Sequence, residues 1–228
     1  MSTCLRYLLG MGPAKKRARS PEDKELRIAR LLDAARELGL ERGVREVTLT
    51  AVTQRVGLHP SALRRYFESR EELLLELAQE GWENWRDNLC AELSDARELT
   101  AEEIGDKLSG SLARLPLFCD LLTHVVLSLE GSVRLERVRR YKQASGAAYD
   151  AMTDALVRTV SGIDRDGAQT ILTTAIAAAA YLYQLSRPTP TLQQFYAEEP
   201  RWAHSALRFR EQLTELLTTA VRGAQHIA

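Results

Sequence analysis

Thr48-Leu49-Thr50-Ala51-Val52-Thr53-Gln54-Arg55-Val56-Gly57-Leu58-His59-Pro60-Ser61-Ala62-Leu63-Arg64-Arg65-Tyr66-Phe67 carries two short helical patterns on either side of a glycine. Thr48 can cap the first, whose Leu49, Val52 and Val56 fall on one side, and Gly57 breaks it. His59-Pro60 opens the second, which the spacing carries to near Phe67. Val52, Val56, Leu58, Leu63 and Phe67 then point inward, leaving His59, Pro60, Ser61, Arg64 and Arg65 outward. A pair of helices joined by a turn of about three residues lets one brace the other in a major groove, where base edges display distinct donors, acceptors and methyl groups. An arginine there can take both O6 and N7 of guanine, or neutralise phosphate.

The flanking punctuation is helical too. Upstream, Ser20-Pro21-Glu22-Asp23 reads as a helix start, Ile28, Leu31, Leu32, Ala35 and Leu38 share a face, and Gly43 offers a left-handed stop. Downstream, Ser69-Arg70-Glu71-Glu72 reads as a capping box, with Ser69 accepting from the Glu72 amide and the Glu72 carboxylate reaching back to the amide of Ser69. A long fourth helix should run to about Leu93. Thr100-Ala101-Glu102-Glu103 repeats the box and opens a fifth helix ending near Pro116. Apolar runs at 117–129 and 133–160 supply a sixth and a seventh, and Ser161-Gly162 interrupts. The Ala-rich stretch 167–186, a proline-containing loop through Pro188, Pro190 and Pro200, and a last helix over 202–222 complete the reading. It predicts an all-α chain of about nine helices: a basic arm (1–19), a helix-turn-helix domain (20–68) and a larger helical domain (69–228).

Charge divides the chain in the same place. The 228 residues balance 31 Lys and Arg against 31 Asp and Glu, yet residues 1–67 carry 14 basic and 7 acidic side chains. A local excess of this kind suits a polyanion even when the average is neutral. Lys15, Lys16, Arg17 and Arg19 have no apolar period to hold them in a core, so they read equally as a DNA-gripping arm or a solubilising tail. The first ten residues precede Met11 and read as an extension. Three scattered cysteines suit a reducing compartment, and the expected location is cytoplasmic. The uncharged stretch 168–186 is interrupted by Gln169, threonines and Gln184, so it reads as a buried helix and no membrane is expected.

Thr48-Leu49 with Val52, then Arg55-Val56-Gly57-Leu58, then Ala62-Leu63-Arg64-Arg65-Tyr66-Phe67-Glu68-Ser69-Arg70-Glu71-Glu72-Leu73 resembles the DNA-binding signature of the tetracycline-repressor (TetR) family. Leu31-Leu32-Asp33-Ala34-Ala35 with Leu38 and Gly43 is similar to that family's first helix. The resemblance implies a ligand-responsive transcriptional regulator, a repressor by family habit. It also implies an effector pocket in the larger domain, and a homodimer that pairs its last two helices and places two recognition helices on a pseudopalindromic operator. By position it makes Thr50 and Arg70 phosphate contacts and Pro60, Ser61, Arg64 and Arg65 recognition residues, with Thr48, His59 and Tyr66 beside them. The chain departs from the pattern at Arg64, where an aromatic is common, at His59, where serine is frequent, and at Gly39, where a large apolar residue is expected and looser packing follows.

Trp82, Trp85, Phe118, His124, Tyr141, Tyr149 and Met152 lie on the helices that the resemblance places around the effector, and as a group they suggest an apolar pocket. Each one singly reads as a core residue before a ligand contact, and His124 as a satisfied core histidine before an effector contact. Ala175 and Ala177 to Ala180, with the apolar face of Leu207, Leu213, Leu216, Leu217 and Val221, mark close packing, either at a four-helix dimer interface or inside one subunit. No phosphate loop, nucleophile elbow or paired carboxylates mark an enzyme, and neither a cofactor nor a metal is expected. The basic run 134–142 reads as a solvated helix face. A DNA-binding architectural protein without a ligand is the remaining alternative.

Overall fold

The computed structural model describes residues 21–205 and 208–225, which hold ten α-helices and no strand. The arm residues Lys15, Lys16, Arg17 and Arg19, and Leu207 of the last helix, lie outside the described residues. The helices are α1 (Pro21–Arg42), α2 (Leu49–Arg55), α3 (Pro60–Leu63), α4 (Arg70–Leu93), α5 (Ala101–Ala113), α6 (Pro116–His124), α7 (Leu135–Thr159), α8 (Arg165–Leu185), α9 (Pro190–Glu198) and α10 (Phe209–Gln225). The tenth is α9. The prolines there were expected to hold a loop, but Thr189 caps the amide of Leu192 and Pro190 occupies the first helical position, where its missing N–H costs nothing.

Side-chain caps set most of the boundaries. Thr48 Oγ1 accepts from the Ala51 amide at 3.1 Å, Ser69 from Glu72 at 3.1 Å and Asp164 from Gly167 at 2.8 Å. Such caps are typically worth about 0.5–2 kcal/mol each. The expected box at Thr100 is complete, because the Glu103 carboxylate accepts from the Thr100 amide at 2.8 Å. The one at Ser69 is not. Glu72, 1% exposed, accepts instead from the Glu68 amide at 2.9 Å and from Arg134 Nε at 2.9 Å. A carboxylate this deep needs a cation more than it needs a second cap.

Helices α1 to α3 form a head around Leu31, Ala35, Leu38, Val52, Leu63 and Phe67, all fully or nearly fully buried. In the body, α4 runs along α7, α6 lies against α8, and α10 packs on both α5 and α8. The α8 stretch that lacks charge buries Ala168, Ile171, Leu172, Ala175, Ala179 and Leu182 in that body. Among the described residues no single helix is long and apolar enough to cross a membrane.

Helix α6 seats the body on the head. A side chain at Gly39 of α1 would put its Cβ 2.6 Å from Leu117 Cδ1, so the small residue expected to loosen α1 instead admits Leu117. The Val44 amide, in the 3₁₀ turn after α1, donates to Asp120 of α6 at 2.8 Å. A π-helical turn, Val125–Leu129, then leads towards α7. The charged run that opens α7 is largely exposed, as expected, but it is also paired: Arg134 with Glu68 and Glu72, and Arg137 and Arg140 both with Glu76. Arg137 also lies over the Phe67 ring, 5.7 Å from its centroid.

Candidate nucleic-acid interface

The short helices before Phe67 are built from local rules. Gly57 turns the chain between α2 and α3 at φ +66°, a left-handed conformation that a side chain would strain, and nothing within 4 Å would otherwise forbid one. His59 takes the capping place usually held by a hydroxyl. Its Nδ1 accepts from the Ser61 amide at 3.3 Å and lies 2.9 Å from Ser61 Oγ. Accepting through Nδ1 leaves the ring proton on Nε2 in the neutral form. Helix α3 is one turn long and ends at Arg64, with looser turns carrying the chain to Phe67, so it is shorter than the spacing implied.

Packing then sorts the side chains. Val52, Leu63 and Phe67 are buried, and Val56, Leu58 and Tyr66 pack half-buried against them. Thr48, Thr50, His59, Ser61, Arg64 and Arg65 are exposed, and Pro60 stands at the first position of α3. These exposed residues share one ridge of polar and cationic groups on a rigid support. The support is braced from behind, because Arg55 of α2 holds Glu41 of α1 through two contacts of 2.8 and 2.7 Å, and Arg36 of α1 holds Glu80 of α4 at 2.6 Å.

Arg70 stands apart from that ridge. Its Nε donates to the carbonyl of Val47, one Nη to the carbonyls of Val44 at 2.7 Å and Arg45 at 3.5 Å, and the other to Glu71 at 3.5 Å. The expected phosphate contact is revised: this guanidinium already ties the turn after α1 to the start of α4, and its donors face protein acceptors. The sequence reading missed this because carbonyl acceptors leave no residue signature.

Of the seven residues expected to line an effector pocket, Trp82, Trp85, Phe118 and Tyr141 pack on one another, whereas Met152, Tyr149 and His124 lie on other contacts. Trp82, Trp85 and Phe118 meet at ring-centroid distances of 5.5 to 6.1 Å. Trp82 Nε1 donates to Tyr141 Oη at 2.9 Å, Trp85 Nε1 donates to Ser111 Oγ at 2.9 Å, and Met152 is fully buried. Burial pushes the Tyr141 hydroxyl up to about 12 despite its bond from Trp82. Tyr149 turns to α8, bonding the Gln169 carbonyl at 2.8 Å. His124 is half-buried at the end of α6, and its Nε2 has no hydrogen-bond partner, the nearest carboxylate oxygen being Asp120 Oδ1 at 3.6 Å. Phe118 reaches an opening, a cleft of about 140 Å³ that it shares with Leu40, Leu77 and Leu117. Among the described residues no cluster of three or more His, Cys, Asp or Glu side chains gathers as for a metal.

Residues 31–77 match the family described as bacterial regulatory proteins, tetR family, and residues 79–228 match the tetracyclin repressor-like C-terminal domain. No curated protein matches the chain. Solved structures with the same fold include a transcriptional regulator from Rhodococcus sp. RHA1, 19% identical over 87% of this chain and 97% of its own, with a TM-score of 0.59. FadR of Thermus thermophilus, a TetR-family repressor solved with lauroyl-CoA, is 17% identical over 86% of this chain and 91% of its own, with a TM-score of 0.53. A TetR/AcrR-family regulator from Thermobifida fusca YX-ER1 is 19% identical over 84% and 96%, with a TM-score of 0.50. With two family models meeting within α4, the first covering the helix-turn-helix and the second two thirds of the chain, this protein belongs to the TetR family of bacterial regulatory proteins.

Proposed function

We propose that the protein is a ligand-responsive repressor that binds a pseudopalindromic operator as a homodimer. The observation that carries this reading is the ridge of α3, where Arg64 and Arg65 stand in solvent while Val52, Leu63 and Phe67 fix the backbone beneath them. In the groove Ser61, Arg64 and Arg65 read base edges, and Thr48, Thr50 and Tyr66 position the helix against phosphate and sugar. His59 acts first as the cap that sets the start of α3.

Dimerisation is supported by α8 and α10, which lie side by side and leave Thr173, Ala177 and Tyr181 on one and Leu216, Thr219 and Gly223 on the other exposed. Tyr181 is 65% and Leu216 47% exposed, among small neighbours that let a second copy approach closely. The alanines divide between the two roles: Ala175 and Ala179 are buried in the subunit, and Ala177 faces out. A monomer by sedimentation at micromolar concentration, with operator binding intact, defeats the dimer.

Selection of random duplexes on the purified protein, followed by sequencing, tests the whole reading. The expected product is one enriched site with two half-sites about one helical turn apart. A pool that stays random, with equal affinity for every member, removes sequence reading from the protein's function. The effector reading draws on the lauroyl-CoA complex of the Thermus thermophilus neighbour only as a fold-level analogy.

A further inference from the structure

With the aromatic core filled by its own side chains, a second and more polar opening between head and body stands out. A cavity of about 480 Å³ separates the end of α1 and its 3₁₀ turn from the end of α8 and the start of α9. That volume falls in the range of small-molecule sites. Arg42 and Arg45 line it from the head, Arg187 and Tyr183 from the body, and Asp120 and Gln184 form its inner wall.

The charge on these walls is only partly compensated, three guanidiniums standing against two carboxylates. None of Arg42, Arg45 and Arg187 is held in an ion pair among the described residues, although arginines elsewhere on the body are held by carboxylates, as Arg134, Arg140 and Arg210 are. Arg187 is instead oriented by Tyr183, with Nη1 donating to Tyr183 Oη at 3.0 Å and the guanidinium 5.6 Å from the ring centroid. The Asp120 carboxylate, one oxygen accepting from the Val44 amide and the other from Gln184 Nε2, both at 2.8 Å, keeps its charge and offsets part of theirs without pairing with any of the three. Glu46 stands on the same rim and leaves cations in excess.

We infer that this junction is a binding site for a small polyanion bearing at least two carboxylate or phosphate groups, one met by Arg42 or Arg45 of the head and another by Arg187 of the body. Two guanidinium forks on separate units match such a ligand, since each can hold an acidic group in a bidentate pair. The ligand bridges the two units beside the Asp120–Val44 bond, so occupancy favours one head orientation over others and changes operator affinity. That last consequence rests on the repressor reading; the site itself does not.

Calorimetric titration of the full chain with citrate, pyrophosphate and inorganic phosphate tests it without DNA. Saturable binding of citrate or pyrophosphate is expected, with phosphate weaker because it offers one group. Arg187→Gln and Arg45→Gln should each weaken binding at least tenfold, and Arg139→Gln, on the exposed side of α7, should not. Arg45 makes no side-chain hydrogen bond or ion pair among the described residues, so its variant is expected to fold even if loss of the Tyr183 contact harms Arg187→Gln. Absence of saturable binding, or equal affinities for the Arg45 and Arg139 variants, overturns the site. Operator binding measured alongside separates the two readings. Lost anion binding with operator selectivity intact removes only this inference, and intact anion binding without sequence-selective DNA binding removes only the repressor.

Discussion

Removing the Asp120 carboxylate should release the head from the body at one identifiable bond. In Asp120→Ala the Val44 amide, on a residue with no exposed surface, loses its only acceptor shown at 2.8 Å. A hydrogen bond to a charged acceptor is worth about 1.5–3 kcal/mol. The second partner, Gln184, is half-exposed and can turn its amide to water, so it adds little. A total near 2–3 kcal/mol follows, which for a chain of this size lowers the melting temperature by roughly 4–10 °C. The local readout is sharper: amide exchange at Val44, followed by NMR, should speed up roughly 30- to 150-fold, at one factor of ten per 1.36 kcal/mol. Asp120→Asn keeps one accepting oxygen and should fall between. Burial alone would raise the Asp120 carboxyl, but His124 beside it, the Val44 amide and Gln184 hold it below its ordinary value. A depressed carboxyl stabilises the fold fully above the unfolded value of about 3.9, and the contribution is lost as pH falls through the folded value. The native protein should therefore lose more stability than Asp120→Asn on acidification below about pH 4. If Val44 exchange in Asp120→Ala stays within twofold of the native rate, the head is not held by this bond.

Arg64→Ala or Arg65→Ala should weaken binding to a selected operator by about 1–3 kcal/mol if that side chain reads a base, measured by fluorescence anisotropy against random duplex; equal losses on both DNAs assign it to phosphate instead. Arg70→Ala should leave the salt dependence of DNA binding unchanged and lower the urea midpoint, because its donors hold carbonyls of the turn after α1; a slope flatter by about one ion restores the phosphate role. Gly105→Ala and Gly110→Ala, both on α5, form a matched pair. At Gly105 a Cβ would sit 3.0 Å from the Thr218 backbone nitrogen and 3.1 Å from the Thr214 carbonyl of α10, which cannot yield as a side chain can, so a loss of about 1–3 kcal/mol is expected in thermal melts. At Gly110 the nearest atom is the flexible Arg210 guanidinium at 3.5 Å, and the better helix propensity of alanine should stabilise by up to about 1 kcal/mol. Opposite ordering of the pair would show that α5 and α10 are not in close contact.

The parts of this fold legible in the sequence are those fixed within a turn or two of chain. Thr48, Gly57 and Thr100 declare their helix ends because the cap and its target are three residues apart, or because one backbone angle decides the matter. The head and its exposed arginines followed from that local grammar plus one face of apolar spacing. What escaped depends on partners remote in sequence. Glu72 left its expected box because Arg134, 62 residues on, meets it in the core. The basic run of α7 is exposed as its spacing implies, but its pairing with Glu68, Glu72 and Glu76, four residues apart on the opposing side, escaped; that matched spacing was present in the sequence and could have been paired. Of the aromatic set, Trp82, Trp85, Phe118 and Tyr141 pack together, and helical periodicity says that such rings face inward but not whether space remains between them. Pro190 was read by its reputation as a breaker when the threonine before it made it a start.

The contacts that fix the head converge on one length of chain. Leu117 fills the notch at Gly39, Asp120 holds the Val44 amide, and, beyond the π turn, Arg134 holds Glu68 and Glu72 while Arg137 covers Phe67. The first two lie on α6 and touch the back of the head; the last two lie on α7 and touch the segment that follows the recognition ridge. A shift of α6 relative to α7 therefore cannot leave both sets intact, and the π turn Val125–Leu129 is the segment that joins them. Coupling between effector and DNA typically needs only about 1–3 kcal/mol, the scale of a single hydrogen bond to a charged acceptor such as Val44 to Asp120. Under the proposed repressor reading, a ligand need not remodel the body to move the head: favouring one arrangement of this strap by the strength of one buried bond would suffice.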